Sequence, residues 1–463
     1  MIPVLTPEEM AGIDARAVEP VETLVARAGA AIATAAIEMM GGAYGRRVIV
    51  VAGPGNNGND GRVAARRLAA RGAAVTVVEA TGVPRGTALD PADLVIDAAF
   101  GTGLRRAYDP PDPGRAPVLA VDIPSGVNGI TGLGLGERSV AADRTVTFAA
   151  LKPGLLLGEG PDRAGALALA GIGLTPLARE VAQAWLVEDA DLDALPRRPR
   201  DGHKWQRAVA VVAGSPGMTG APWLVSRAAL RAGAGYVRLG MPGVDIAHSP
   251  LPPSEIVGLS LSAVGWAAEV LVAGLSRFGA LVIGPGLGPA QPSGARSEVV
   301  SLVQAAPVPV VIDADGLGAL GSIEILRSLT DARHHPTIIT PHVGEWTRLV
   351  GAPPEADRIA EVRQVARRSG AVVLLKGATT VVGEPGGKVL LAAAGPPSLA
   401  TAGSGDVLSG IIGALLSDGV PALEAAGLGA HLHGRAASGG YPRGLVAGDL
   451  PDLVAHWLSE RIS

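Results

Sequence analysis

VIVVAGPGNNGNDGRVAARRLAARGAAVTVVE, residues 48–79, reads as one repeat of an α/β sheet. VIVVA (48–52) is a short apolar strand, GPGNNGNDG (53–61) a polar glycine loop, 61–71 a helix, and VTVVE (75–79) the next strand. Outward from it, LVIDA (94–98), VLAVD (118–122) and RTVTF (144–148) repeat the strand pattern, and residues 7–40 read as helices. Short Val- and Ile-rich runs separated by helices and loops predict a mostly parallel sheet covered on both faces. Asp97 and Asp122 each close an apolar run. The ligand crevice of an open α/β sheet lies at the carboxyl ends of its strands, so both aspartates are candidates for it.

The rhythm breaks at DALPRRPRDGHK (193–204), charged and proline-bearing, and then resumes. AVAVVA (208–213), YVRLG (236–240), ALVIG (280–284), VPVVID (308–313), TIIT (337–340), AVVLLK (371–376) and KVLLA (388–392) are strand-like, with helices expected over 405–416 and 421–437. Two α/β domains are therefore expected, 1–197 and 198–463. Of the 463 residues, 48% are hydrophobic and 18% charged, the profile of an ordered globular chain. Net charge is −4 with 3% aromatics and no basic block, which argues against a nucleic-acid platform. There is no cysteine, hence no disulfide, thiolate nucleophile or cysteine-bearing zinc site. The N-terminus does not read as a signal peptide and no charge-free stretch reaches transmembrane length, so a cytoplasmic protein without a membrane partner is expected.

The loop chemistry is more specific. GPGNNGNDG is neither a dinucleotide GxGxxG nor a P-loop. Its three asparagine amides can donate or accept, and Asp60 stands where it could cap or orient the helix. DAAFGTGLRR (97–106) and VDIPSGVNG (121–129) converge on it by strand order. Asn57, Asp97 and Ser125 could offer oxygens to a hard, weakly charged cation, leaving Asp122 for acid–base work; simple capping at strand ends is the alternative for both aspartates. In the second domain, AGSPGMTGA (213–221), GPGLG (284–288), VIDADGL (311–317) and TPHVGEW (340–346) each follow a strand. LATAGSGDVLSGIIGALL (399–416) is the strongest signal. Gly403, Ser404 and Gly405 can expose a run of amides at a helix start, an anion hole for a transferring phosphoryl group. Asp406 there is a base for a hydroxyl proton or an N-cap, and Lys376, Thr379 and Thr380 of KGATT could meet a nucleotide phosphate. The histidines, His431 and His433 included, show no ligand spacing and read as surface or packing residues.

Taken together, GPGNNGNDG, VIDAAFGTGL, VDIPSGVNG and TVTFAALKPG, followed by HKWQR, AGSPGMTGA, ALRAGAGYV, GPGLG, DADGL, TPHVGE, LKGATT and ATAGSGDVLSG, resemble the bifunctional NAD(P)H-hydrate repair enzymes along nearly the whole chain. The resemblance implies a Rossmann-like three-layer epimerase domain followed by a ribokinase-like dehydratase domain. It implies potassium at Asn57, Asp97 and Ser125, and a catalytic Asp122. Asn56, Asn57, Gly58, Asn59 and Asp60, with Gly101, Thr102, Gly103, Leu104, Arg105, Arg106 and Ala107, would contact the substrate. Gly286 and His342 would contact the hydrate, and Lys376, Gly377, Ala378, Thr379, Thr380 and Gly405 the nucleotide, with Asp406 as catalytic aspartate. ADP or ATP with magnesium is the implied co-substrate, NADH and NADPH hydrates the substrates, and a homo-oligomer the expected assembly. Three segments differ from the family's usual wording: Gly58-Asn59 for two glycines, Leu24-Val25-Ala26 in the early helix, and Pro396–Ala400 before the anion hole. A ribokinase-like vitamin or sugar kinase fused to a binding domain is the nearest rival, and a dinucleotide-sensing scaffold the non-enzymatic one.

Overall fold

The structure, a computed structural model, describes residues 1–83, 86–246, 255–288 and 295–461. It divides into two compact units, Ile2–Ala184 and Trp185–Ser463, the latter with Met1.

The first unit begins with helices α1 (Pro7–Arg16) and α2 (Val21–Met40). Strand β1 (Arg47–Ala52), helix α3 (Asn56–Ala69) and strands β2 (Ala74–Glu79), β3 (Leu94–Ala98), β4 (Val118–Val121), β5 (Arg144–Phe148) and β6 (Ala166–Ala170) follow. The six strands run parallel in the order β2-β1-β3-β4-β5-β6. Alternation along each strand sends Val48, Val50 and Ile96 to one face, where Ala28, Ile32 and Ala36 of α2 and Ala64 and Leu68 of α3 cover them. Ile49, Val51, Val95 and Val118 face the other way, under residues of the long connections such as Leu89, Tyr108 and Val140. By length and composition α2 could cross a membrane, but its apolar side is buried against this sheet. Because the chain adds β2 on one side of β1 and β3 on the other, the switch point falls where β1 and β3 end.

The helix expected over 61–71 starts five residues early, at Asn56, so the second half of the glycine loop is its first turns. Gly58 makes this possible: a Cβ there would lie 1.9 Å from the Gly53 carbonyl oxygen, so only glycine lets the helix sit on the end of β1.

The second unit contains β7 (Ala184–Leu186), β8 (Ala208–Val212), α4 (Gly220–Arg231), β9 (Tyr236–Pro242), β10 (Val257–Leu261), β11 (Ala280–Ile283), β12 (Val310–Ile312), β13 (Thr337–Ile339), α5 (Val343–Val350), β14 (Val372–Leu375), β15 (Thr380–Gly383), β16 (Val389–Ala392), α6 (Ser404–Ser417) and α7 (Ala422–Ser438). Its strands lie in the order β7-β16-β15-β14-β13-β12-β11-β8-β9-β10. They are parallel from β10 across to β14, and β15 and β16 add antiparallel. The crossover from β10 back to β11 puts this sheet's switch point between β8 and β11.

The division falls at Ala184–Trp185 rather than at 197. The charged 193–204 stretch is a surface turn inside the second unit. Ahead of it β7 pairs beside β16 in the larger sheet, the Val187 amide donates to the Leu391 carbonyl at 2.9 Å, and Val187 and Leu192 are buried in the second core.

Candidate functional sites

At the carboxyl end of the smaller sheet a cavity of about 1040 Å³ is lined by Asn56, Asn57, Asp60, Gly101, Thr102, Gly103, Leu104, Arg105, Arg106, Asp122 and Lys152, with Asp14 from α1. The sequence-expected residues from the loops after β1, β3 and β4 therefore do meet. Gly58, Asn59 and Ala107 do not line it: Gly58 is buried under the helix start, and the other two are exposed. Asp60 is not a cap. Gly55 is the N-cap of α3, and Asp60 sits further along the helix, buried against the cavity. Burial, then the charges of Asp122 and Asp14, push its carboxyl up to about 8.

Asp122 follows β4 with φ 68°, a left-handed conformation uncommon outside glycine and sustained only where the surroundings enforce it. The Val146 carbonyl accepts from its amide at 2.7 Å, and its side chain is held by Lys152. Its ammonium lies 2.5 Å from Asp122 Oδ1 and also donates to Thr147 Oγ1 (2.9 Å), the Phe148 carbonyl (3.0 Å) and the Ala150 carbonyl (3.2 Å). The Thr147 hydroxyl in turn donates to Asp122 Oδ1 at 3.1 Å. Lys152 was missed by reasoning from the loops alone. Its signal was a single lysine in the apolar stretch AALKPGLLLG (149–158), a position where a charge persists only with a partner.

Asp97 and Ser125 join beneath the same strand ends. Asp97 accepts from the Ser125 amide (2.8 Å) and hydroxyl (2.7 Å), and Ser125 Oγ is 3.0 Å from the Phe100 carbonyl oxygen. Burial pushes the Asp97 carboxyl up to about 6. Asn57 packs where Gly101 follows Phe100, and its amide nitrogen is buried without a partner. A flip of that amide presents its oxygen instead. Carboxylate, hydroxyl, carbonyl and amide oxygens together fit a hard monovalent cation. Among the described residues no group of three or more His, Cys, Asp or Glu side chains is placed to hold a metal ion.

The second site forms where β8, β11, β12, β13 and β14 point at the start of α6. Gly403 caps this helix with φ 89° and no side-chain bond, so Asp406, its third residue, is released from capping. Helix geometry leaves the first-turn amides directed outward, suited to an anion. Asp313 at the end of β12 is buried and clamped on both oxygens: Lys376 Nζ at 2.7 Å and the Ser409 hydroxyl of α6 at 2.5 Å. Lys376 thereby lies under the anion hole, 3.0 Å from where a Gly405 side chain would begin. Burial first, then the Asp313 charge, push the Asp406 carboxyl up to about 7 against the opposing pull of Lys376. A carboxyl titrating there is matched to general-base work at neutral pH.

Around it, Ser215 of the loop after β8 donates to the Gly286 carbonyl at 3.0 Å, tying the two glycine loops together. His342 is the N-cap of α5. Its Nδ1 accepts the Gly344 (2.9 Å) and Glu345 (3.3 Å) amides, and its Nε2 lies 3.5 Å from Glu345 Oε1 in a ring about half exposed. Gly377 and Ala378 form the exposed turn from β14 into β15, which Thr380 opens. His431 and His433 are buried in α7, the packing role of the two expected for them. His431 Nε2 meets Asp189 at 2.8 Å, and burial, then the Lys376 charge, push His433 down to about 4. His248 lies outside the described residues.

Comparison with known proteins finds one family match in each unit. Residues 209–457 match the family described as NAD(P)H-hydrate dehydratase, and residues 21–83 and 78–154 match the family described as YjeF-related protein N-terminus. The bifunctional NAD(P)H-hydrate repair enzyme Nnr of Salinibacter ruber is 35% identical over 535 residues, covering 99% of this chain and 96% of that protein. The protein of the same name from Moorella thermoacetica is 37% identical over 479 residues, covering 89% and 87%. Among solved structures, the ADP/ATP-dependent NAD(P)H-hydrate dehydratase of Bacillus subtilis, co-crystallized with ATP/Mg2+, is 27% identical over 59% of this chain and 97% of its own, with a TM-score of 0.49.

Proposed function

The chain belongs to the bifunctional NAD(P)H-hydrate repair enzymes, and we propose that it repairs hydrated reduced nicotinamide nucleotides with one reaction in each unit. The first unit interconverts the R and S hydrates, and the second dehydrates the S hydrate with ADP or ATP. The observation that carries this reading is Asp406: a half-buried carboxyl, free of capping, titrating near 7 at the mouth of a helix N-terminus that Lys376 underlies.

In the second unit the hydrate's C6 hydroxyl is a poor leaving group. Asp406 takes its proton as the oxygen attacks the terminal phosphoryl group of the magnesium nucleotide, the co-substrate. The first-turn amides of α6 and Lys376 stabilise the charge that gathers on the transferring phosphoryl oxygens. The N1 lone pair expels the phosphate from C6, and loss of a proton from C5 to the departing phosphate or to water forms the C5–C6 double bond and restores the reduced nicotinamide. Gly286, His342 and the KGATT turn surround this point as hydrate and nucleotide contacts.

In the first unit the hydrated carbon carries both a hydroxyl and the ring nitrogen. Asp122 takes the hydroxyl proton, the C6–N1 bond opens to an aldehyde with its electron pair on N1, and the proton is returned to N1. Rotation and re-addition of N1 to the other face of the aldehyde invert the centre with no co-reactant consumed. Asn57, Asp97 and Ser125 would hold potassium, whose fixed charge would neutralise the buried Asp97.

The test is to supply the purified S hydrate with ADP or ATP and follow both the absorbance of the reduced cofactor and inorganic phosphate. Equal yields of both products are expected. A stable phosphorylated product without reduced cofactor would establish the kinase reading instead.

A further inference from the structure

We propose that Lys152 and Thr147 are positioning residues that hold Asp122 in its reactive orientation, so that the epimerisation base is a three-residue unit rather than a lone aspartate. The inference rests on the epimerase reading above.

Asp122 is one residue past its strand, in a left-handed backbone conformation that is uncommon outside glycine and that aspartate tolerates better than most residues. Its amide is held by the Val146 carbonyl at 2.7 Å, which fixes the main chain but not the side chain. The side chain is fixed by two donors on one oxygen. Lys152 Nζ and the Thr147 hydroxyl both reach Oδ1, and Thr147 bridges them by accepting from Lys152. These bonds are on Oδ1, which leaves Oδ2 as the oxygen for substrate.

Lys152 is only 1% exposed and its ammonium is already held by oxygens of the protein, so it offers no free donor to a substrate phosphate. Its ammonium is shared among four oxygens, those of Asp122, Thr147 and two main-chain carbonyls. A lysine so enclosed has no role on the surface, and its burial is tolerable only with its charge paired. The charged groups facing Asp122 are Lys152, Asp60 from α3 and Asp14 from α1, so Lys152 is the one cation set against three carboxyls. Removing it would leave the Asp122 carboxylate without its cation and free to rotate toward the Asp60 carboxyl.

The test is Lys152→Met and Thr147→Val in the full chain, assayed for R-to-S conversion and, separately, for dehydration of the pure S hydrate. Thr147→Val keeps the side-chain shape and the lysine, and so reports even if Lys152→Met does not fold. For Lys152→Met a fall in kcat of about 10²-fold or more is expected, as for loss of a general base. For Thr147→Val a fall of about tenfold is expected, as for a misplaced one. The KM of the R hydrate should stay within about threefold in both, because uniform binding is untouched, and S-hydrate dehydration should match the parent. Parental kcat in Thr147→Val, or a loss carried by KM with kcat intact, would overturn the positioning role. A parent protein unable to convert R to S hydrate would instead overturn the epimerase reading on which it rests.

Discussion

Two aspartates at the ends of secondary-structure elements are set up in opposite ways. Asp122 is ion-paired with a buried lysine, whereas Asp406 faces the carboxylate of Asp313, which has already taken Lys376. The consequence for Asp406 is a pH dependence. As a base it works only deprotonated, and its carboxyl titrates near 7, so dehydration at saturating substrate should fall as pH drops through about 7 and level off above it. A rate flat from pH 5 to 8 would remove Asp406 from the proton transfer. Lys376 is the second residue to test. Lys376→Ala should raise the nucleotide KM and leave epimerisation unchanged. It should also lower stability by about 3–5 kcal/mol, because Asp313 would be left buried with its charge unpaired. Thermal unfolding of Lys376→Ala beside Asp313→Asn/Lys376→Ala separates the two effects: the double variant should recover much of the loss. The candidate carboxylates were legible in the sequence because each closes a strand or opens a helix. Their partners were not. Nothing in VIDADGL marks Asp313 as the group Lys376 holds, since that pairing spans more than sixty positions and exists only once β12 and β14 lie in one sheet.

At the scale of elements, strand positions were readable from apolar runs, and helix starts were less so. Turn-forming glycines and asparagines made 53–61 look like a loop, yet Asn56 onward is helical because glycine is needed there for packing as well as for turning. Gly58→Ala therefore should destabilise the first unit by about 1–3 kcal/mol, the usual cost of forcing atoms into a filled space. The check is chemical denaturation of the variant against the parent. A change near zero would mean that the end of β1 and the start of α3 can move apart. The same residue choice explains Asp60: one helical turn past the true start, it points into the cavity rather than at the helix cap.

At the scale of the whole molecule, the charged stretch 193–204 is the most obvious punctuation in the sequence, and it is not the border between the compact units. Composition reports solvent exposure, and an exposed turn inside a domain looks the same as a linker. What ties the residues after Trp185 to the second unit is the Val187–Leu391 main-chain bond and burial of Val187 and Leu192, contacts that no local pattern announces. A fragment 185–463 should accordingly be more stable than 198–463, by about 3–6 kcal/mol if each of the two lost side chains contributes roughly 1.5–3 kcal/mol. The proposed chemistry uses two independent carboxylate bases for two reactions on one chain. It is tested most directly by assaying Asp122→Asn and Asp406→Asn, each folded, on separated R and S hydrates. Asp406→Asn should lose about 10²- to 10⁴-fold in S-hydrate dehydration and keep epimerisation, and Asp122→Asn should show the reverse. Parental dehydration by Asp406→Asn, or loss of S-hydrate dehydration in Asp122→Asn, would contradict the account.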